Sequence, residues 1–250
     1  MLNSKFFYFV LNYFLSNSFH KQITKLVKNE KKLVIFDVGC YRGSFTKSML
    51  DLIGNRKYKI YLFDINKKVK KYISYLLRLK NIYYNEVALS NKNGKANYNY
   101  NKFFEAAGSS LSSLVKNEAM WNFTRKLVLL SRKEFVTYKV HTITLDSFVK
   151  KNKIKSIDLL KIDIEGSEHL MLQGARKTLK KNKIKSILIE IADKKNIYEK
   201  KERKVLNFLK KYNFNLLKKN IYFSPSFLSN HMAGDYQLIN NNYFTKNLQK

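Results

Sequence analysis

The chain has 250 residues, 45% apolar and 14% aromatic, enough to bury one full-sized α/β core and too apolar for a disordered chain. Its formal net charge of +31, taken alone, points to nucleic acid or an anionic membrane. Only seven of the 49 basic residues are arginine, however, and Lys, Asn, Ile, Tyr and Phe all draw on codons rich in A and T, so much of the excess follows composition. The single cysteine, Cys40, excludes an intrachain disulfide. His20, His141, His169 and His231 lack the spacing and thiolate partners of a zinc site.

Residues 6–15, behind Lys5, form an aromatic run too short to span a bilayer as a helix, and no small-residue cleavage site follows it. Residues 1–30 are expected to be an aromatic helical extension packed on the domain. The rival expectation is an interfacial anchor that turns Lys21, Lys25 and Lys28 to lipid headgroups. From residue 33 strand and helix alternate, the pattern of a doubly wound, mostly parallel sheet with helices on both faces. Residues 33–38 are a continuous apolar run, as in a buried parallel strand. A helix is predicted over 44–53 and a strand over 59–64. Residues 66–79 put Val69, Ile73, Leu76 and Leu77 on one stripe of a lysine-rich helix, and a third strand covers 82–89. Residues 91–101, with Gly94 as a turn, read as a hairpin-like excursion. Residues 103–133 read as an insertion at the acceptor site, with a helical stretch around Trp121. A strand over 134–143 and a short helix over 145–151, capped by Thr144, return the chain to the sheet. A strand at 157–164, a helix at 167–180, a strand at 184–191 and a helix at 199–212 continue the alternation. Residues 214–217 and 236–239 supply final strands, with a C-terminal antiparallel one. No linker or repeat divides residues 31–250, which read as one domain.

In an open α/β sheet a ligand sits beyond the C-terminal ends of the strands, where the strand order reverses. The first strand brings Asp37, Gly39 and Gly43 to that place, and the second brings Asp64, positioned to accept hydrogen bonds from a ribose diol. A dinucleotide fingerprint needs Gly-x-Gly-x-x-Gly to seat a pyrophosphate, but Tyr41 fills the central slot of Gly39-x-x-x-Gly43. The missing Gly-Lys-Ser/Thr excludes a Walker loop. S-adenosylmethionine (SAM) has no phosphate, so the looser turn suffices for it, and acids suit its amino group. In the strand at 157–164, alternation projects Lys161, Asp163 and Glu165 to one side, the two acids nearest the cofactor end.

The run Lys161-Ile162-Asp163-Ile164-Glu165-Gly166-Ser167-Glu168, followed by Leu172-Gln173-Gly174-Ala175, resembles the FkbM family of SAM-dependent methyltransferases. The resemblance extends over Asp37-Val38-Gly39, Gly43, Thr46, Val87-Ala88-Leu89-Ser90, Gly94, Ser112-Ser113-Leu114 and Thr144-Leu145-Asp146, and covers roughly residues 33–192. It implies a Rossmann-like fold, SAM as cofactor and O-methylation of a hydroxyl on a sugar or glycan. It places Asp37, Gly39, Cys40, Tyr41, Gly43, Asp64, Ile65 and Ala88 along the cofactor. Two places depart from the family pattern: Cys40-Tyr41 stands where Ala-Asn is frequent, and Asp64-Ile65 where Glu-Pro is frequent. The shorter Asp64 arm demands a closer backbone.

Methyl transfer from a sulfonium is an in-line displacement, and a sugar hydroxyl benefits from a general base within hydrogen-bond reach. Asp163 is the expected acceptor-facing carboxylate and Glu165 the second candidate. Against both stands a structural role, pairing with Lys161 or capping the helix that begins at Ser167. The helix dipole accounts for Glu168, a surface role for His169 and a structural one for His141. Residues 109–113 either line the acceptor site with hydroxyls or form a flexible loop. Nothing in the spacing of Asp163, Glu165 and Glu168 demands a divalent cation, so no metal is expected. The charge favours an RNA methyltransferase as the alternative, but no basic-aromatic RNA module is present, and the single Pro225 precludes a Pro-Pro-Tyr signature. A non-catalytic, membrane-associated protein of this fold is the third reading, opposed by the intact Asp37, Asp64 and Asp163 set. The expected location is cytoplasmic; the anchor alternative for residues 1–30 would place the protein peripherally at an anionic inner membrane face.

Overall fold

Lys32–Val38 (β1) is apolar at nearly every position because helices cover it on both faces. The structure, a computed structural model, describes residues 32–101, 110–111, 135–164, 166–223 and 231–243. The extension expected at 1–30, the helical stretch around Trp121 and all of the 103–133 insertion except 110–111 lie outside the described residues. After β1 come α1 (Ser44–Ile53), β2 (Lys57–Phe63), α2 (Val69–Tyr72), α3 (Ser74–Leu77), β3 (Ile82–Asn85), β4 (Ala88–Leu89), β5 (Gly94–Asn101), β6 (Ser110–Leu111) and β7 (Phe135–Ile143). Then follow α4 (Leu145–Lys151), β8 (Ile157–Ile162), α5 (Glu168–Gln173), α6 (Arg176–Lys180), β9 (Ile184–Lys194), α7 (Lys195–Lys210), β10 (Phe214–Phe223) and β11 (His231–Asn240).

The main sheet runs β10-β11-β9-β8-β1-β2-β3, and β11 alone opposes its neighbours. Strand order reverses between β1 and β8, the switch point at which open sheets take their ligands. One face packs Leu33, Ile35, Ile60, Leu62 and Leu159 with Met49 and Ile53 of α1 and with Val69, Ile73 and Leu76. The other packs Phe36, Val38, Phe63, Leu160, Ile162 and Ile189 with residues of α4 to α7, and Phe148 of α4 stands edge-on to both Phe36 and Phe63. This is the expected doubly wound α/β class, with its single antiparallel strand near the C-terminus.

Four local departures have physical causes. The strand expected at 82–89 splits in two, because Val87 N–H turns back to the Asn85 carbonyl and the Asn85 amide ties down to Leu62 O. β3 therefore stays in the main sheet while β4 joins a second one, β4-β7-β5-β6. There β5 is no local hairpin, since it pairs along its whole length with β7. The helix expected at 66–79 starts later, because the Asn66 side chain accepts the Lys68 N–H, and it breaks into α2 and α3 at Ile73. The helix expected at 167–180 breaks at Gly174-Ala175, because Asp146 of α4 captures the N–H groups of Lys177 and Thr178 and the Thr178 hydroxyl, which starts α6 anew.

Two pieces of the family-like pattern meet at that break. A Cβ on Gly174 would stand 2.0 Å from the Ser90 carbonyl oxygen, main chain against main chain. Gly174→Ala is accordingly expected to destabilise the protein by about 1–3 kcal/mol, seen as a lower urea midpoint at unchanged slope. An unchanged midpoint would show that the two segments are free to separate.

Candidate active site

The turn after β1 is closed by its own amides. Gly39 N–H and Cys40 N–H both donate to Phe63 O at the end of β2, Gly43 N–H donates to Cys40 O, and Tyr41 N–H donates to Asp64 Oδ2 at 2.9 Å. Tyr41 reaches Asp64 in a left-handed conformation, φ 42°, which costs a non-glycine residue energy. Amides spent in this way cannot cradle a phosphate, which is the physical counterpart of the missing central glycine. Gly39, at φ 79°, is required by crowding as well: a Cβ there would stand 1.7 Å from the Asp163 carbonyl oxygen.

Asp64 lies just past β2. Its two carboxylate oxygens take one main-chain N–H each, from Tyr41 and from Asn66 at 3.0 Å. A carboxylate has about four lone-pair sites, so each oxygen keeps capacity for a ligand hydroxyl. Burial pushes the Asp64 carboxyl up, and the N–H groups of Asn66, Tyr41 and Ile65 oppose the rise. Beside it Ile65 packs against Ala88, Tyr98 and Val140, and Tyr138 donates to Ile65 O, so the second sheet walls this end of the site. Cys40 is buried beside α1, and burial, then the charges of Asp37 and Asp64, push its thiol far up; it is inert filling. Arg42 lies over the rings of Tyr41 and Tyr72, 5.3 Å from each centroid.

At the switch point the sequence's acids meet a cation. Asp37 is 0% exposed; its Oδ2 accepts from Thr46 Oγ1 at 2.7 Å and its Oδ1 lies 3.3 Å from Lys161 Nζ. The same ammonium donates to Gly39 O at 2.7 Å and lies 3.3 Å from Asp163 Oδ2. Burial opposes the Lys161 charge, but Asp163 and Asp37 outweigh it and hold the group protonated above its ordinary range. Asp163 thus has the structural partner set against it in the sequence, yet its side chain stays about a third exposed, open to a ligand. Glu165 lies outside the described residues. Glu168 is fully engaged, accepting from Gly166 N–H at 2.7 Å and pairing with Lys201. His169 is half-buried, its pKa lowered by burial and by Lys204 and Lys201, and His141 is exposed on β7.

One carboxyl at this edge was not among the sequence candidates. Asp235 of β11 is half-buried and pushed up to about 6, first by burial and then by Asp163, with Lys161 opposing. Its signal was faint, since the tail after residue 192 matches the family pattern only loosely. Among the described residues no group of three or more His, Cys, Asp or Glu is arranged to hold a metal, and no helix is long and apolar enough to cross a membrane.

Comparison with known proteins agrees with this geometry. Residues 37–216 match the family described as methyltransferase FkbM domain. The chain is 26% identical over 189 residues to the 2-O-methyltransferase NoeI of Sinorhizobium fredii (strain NBRC 101917 / NGR234), covering 72% of this chain and 71% of that one. Its fold matches the crystal structure of methyltransferase FkbM from Methylobacillus flagellatus KT with a TM-score of 0.52 at 11% identity. That match covers 82% of this chain but 44% of the other, so the chain spans less than half of that protein's length.

Lys161→Met is expected to leave the buried Asp37 carboxylate unpaired and to cost about 3–5 kcal/mol at neutral pH. Urea melts should show a lower midpoint, with Lys161→Arg, which keeps a cation, losing less. Equal losses in the two variants would mean the loss is one of packing alone.

Proposed function

The chain belongs to the FkbM methyltransferase family, and from that premise we propose that it moves the methyl group of SAM to a hydroxyl of a sugar or glycan. It is a SAM-dependent methyltransferase; the acceptor class is the inference. The observation that carries it is the acidic edge of the site. In a chain of net charge +31, Asp37, Asp64 and Asp163 gather at or just past the ends of β1, β2 and β8, with Lys161 held between Asp37 and Asp163, and Asp235 of β11 lies in the same row. Such an edge draws in a cationic sulfonium and repels the phosphates of RNA, whereas a neutral polyol meets acceptors for its hydroxyls. The NoeI relative is a 2-O-methyltransferase, which supports oxygen as the methylated atom.

The donor set fits the cofactor: carboxylate oxygens with spare acceptor sites, an apolar flank at Ile65 and Ala88, and a turn whose amides are closed to phosphate. When bound, SAM supplies an electrophilic methyl carbon. Asp64 accepts from the ribose diol, and the Gly39-Cys40-Tyr41-Arg42-Gly43 turn shapes the adjoining wall. Asp37 stands behind the site and holds Lys161, which in turn fixes Asp163. Asp163 faces the acceptor and receives a hydrogen bond from one of its hydroxyls, with Glu165 the second candidate for contact there.

Asp64→Ala should weaken SAM binding in calorimetry by at least about tenfold, the value of one or two lost charge-assisted hydrogen bonds. Because the Asp64 carboxyl is raised, wild-type affinity for SAM should fall as the solution is acidified, and that fall should be absent in Asp64→Asn. Equal affinity in both proteins at all pH values removes Asp64 from the ribose. Asp163→Ala should bind SAM and lose turnover on a panel of methyl glycosides assayed with methyl-labelled SAM. Label that appears instead in copurified tRNA or rRNA decides for the RNA reading.

A further inference from the structure

Sheet register places one row of residues just beyond the ends of β1, β2 and β8 and continues it through β9 and β11. Val38 pairs with Phe63 and Ile162, and Ile162 with Ile189, so Asp64, Gly39, Asp163 and Glu190 come next in line. Asp235 of β11 pairs with Glu190 and takes the fifth place. It stands two strand spacings from Asp163, about 10 Å between Cα atoms. Paired residues share a face of the sheet, so Asp235 lies on the side of Lys161 and Asp37, opposite to Tyr236.

With the ribose held at Asp64 on one side of the switch point, the acceptor approaches from the other side, over β8, β9 and β11. The Asp235 side chain has no ion pair or hydrogen bond among the described residues. One step deeper on the same face Gln237 is 0% exposed, and neither its Nε2 nor its Oε1 has a hydrogen-bond partner among the described residues. A desolvated carboxylate next to an unsatisfied amide costs stability, and a polar ligand on this face relieves that cost. Both residues lie beyond the residues 37–216 that match the family, so the family match does not account for them.

We propose that Asp235 is a catalytic carboxylate of the methyl transfer, the general base that takes the acceptor's proton while Asp163, tied to Lys161, orients the acceptor through a neighbouring hydroxyl. The assignment rests on hydroxyl methylation as the reaction. The hydroxyl oxygen bonds to the methyl carbon as the carbon–sulfur bond breaks and its electron pair returns to sulfur. The hydroxyl proton passes to Asp235 Oδ and from there to solvent after the product leaves. The charged groups around Asp235 are Asp163 and Lys161 on β8, Glu190 on β9, and Lys218, which pairs with Gln237 from β10. A carboxyl raised to about 6 is close enough to neutrality to collect a proton in the transition state and shed it each cycle.

Stability gives a readout independent of the acceptor. The folded value of about 6 lies above the ordinary aspartate value of 3.8, so between those values the folded protein binds more protons than the unfolded one. Stability therefore falls as pH rises through that window, and Asp235→Asn should lack this component.

The test uses the full chain, SAM with a labelled methyl group and a panel of methyl glycosides. Asp235→Asn should bind SAM within about twofold of wild type, lose about 100-fold in kcat, and lose the acidic limb of the kcat/KM profile near pH 6. Asp235→Glu keeps a carboxyl and should keep the limb at an intermediate rate. An Asp235→Asn protein with wild-type rate and profile overturns the assignment and leaves hydroxyl methylation standing. If Asp235→Asn fails to fold or to bind SAM and Asp235→Glu shows no limb, the carboxyl is structural and the assignment falls. A wild-type protein that binds SAM and methylates no hydroxyl overturns both.

Discussion

A buried ammonium joins the two halves of this sheet where they diverge. Lys161 rises from β8, and its Nζ reaches Asp37 on β1, the carbonyl of Gly39 in the turn beyond it, and Asp163 on its own strand. The contacts with Asp37 and Gly39 depend on the register that pairs Asp37 with Lys161, so the cation and the sheet specify one another. Without a cation here Asp37 would be a charge in an apolar core, and without Asp37 the lysine would keep only the partly exposed Asp163 as its counter-charge. The turn geometry, the crowding of Gly39 against the Asp163 carbonyl and the exposure of Asp163 all follow from closing β1 on β8 around this group.

The surface and the site carry opposite electrostatic characters. The excess of lysine gives the chain a strong positive field, yet the edge at which the sheet opens is lined by carboxyls. Reading the net charge alone suggests a polyanion as ligand. The row of acids suits the cationic cofactor, because interactions within a partly desolvated cleft are screened far less than those at the surface.

Much of this was legible in the sequence where local signals agree. Helices α1 and α4 lie over the expected 44–53 and 145–151, because apolar spacing and, for α4, the Thr144 cap to Ser147 N–H mark the same boundaries. The proximity of Lys161 and Asp163 was visible from a spacing of two in a strand. The contact of Lys161 with Asp37 was not, since it depends on which strand lies next to β1. Breaks caused by single side chains, Asn85 ending β3 and Asp146 restarting α6, were hidden because the capturing group comes from another segment or acts through the main chain. Asp235 escaped because a strand signal begins at Tyr236, where the aromatic and apolar residues begin, while Asp235 itself is polar.

The ladder between β10 and β11 slips between Leu216 and Lys218, whereas that between β11 and β9 runs without interruption from His231 to Ile239. A bulge confines a length change to the strand that carries it. The edge strand can therefore gain or lose a residue over generations while β11 keeps its phase against β9. A shift of one in that inner ladder would bring Tyr236 to the level of Glu190 and put its ring where the carboxyl of Asp235 stands. Drift in the periphery is thus uncoupled from the alignment of the reactive edge, and homologues with different outer strands can present the same row of side chains.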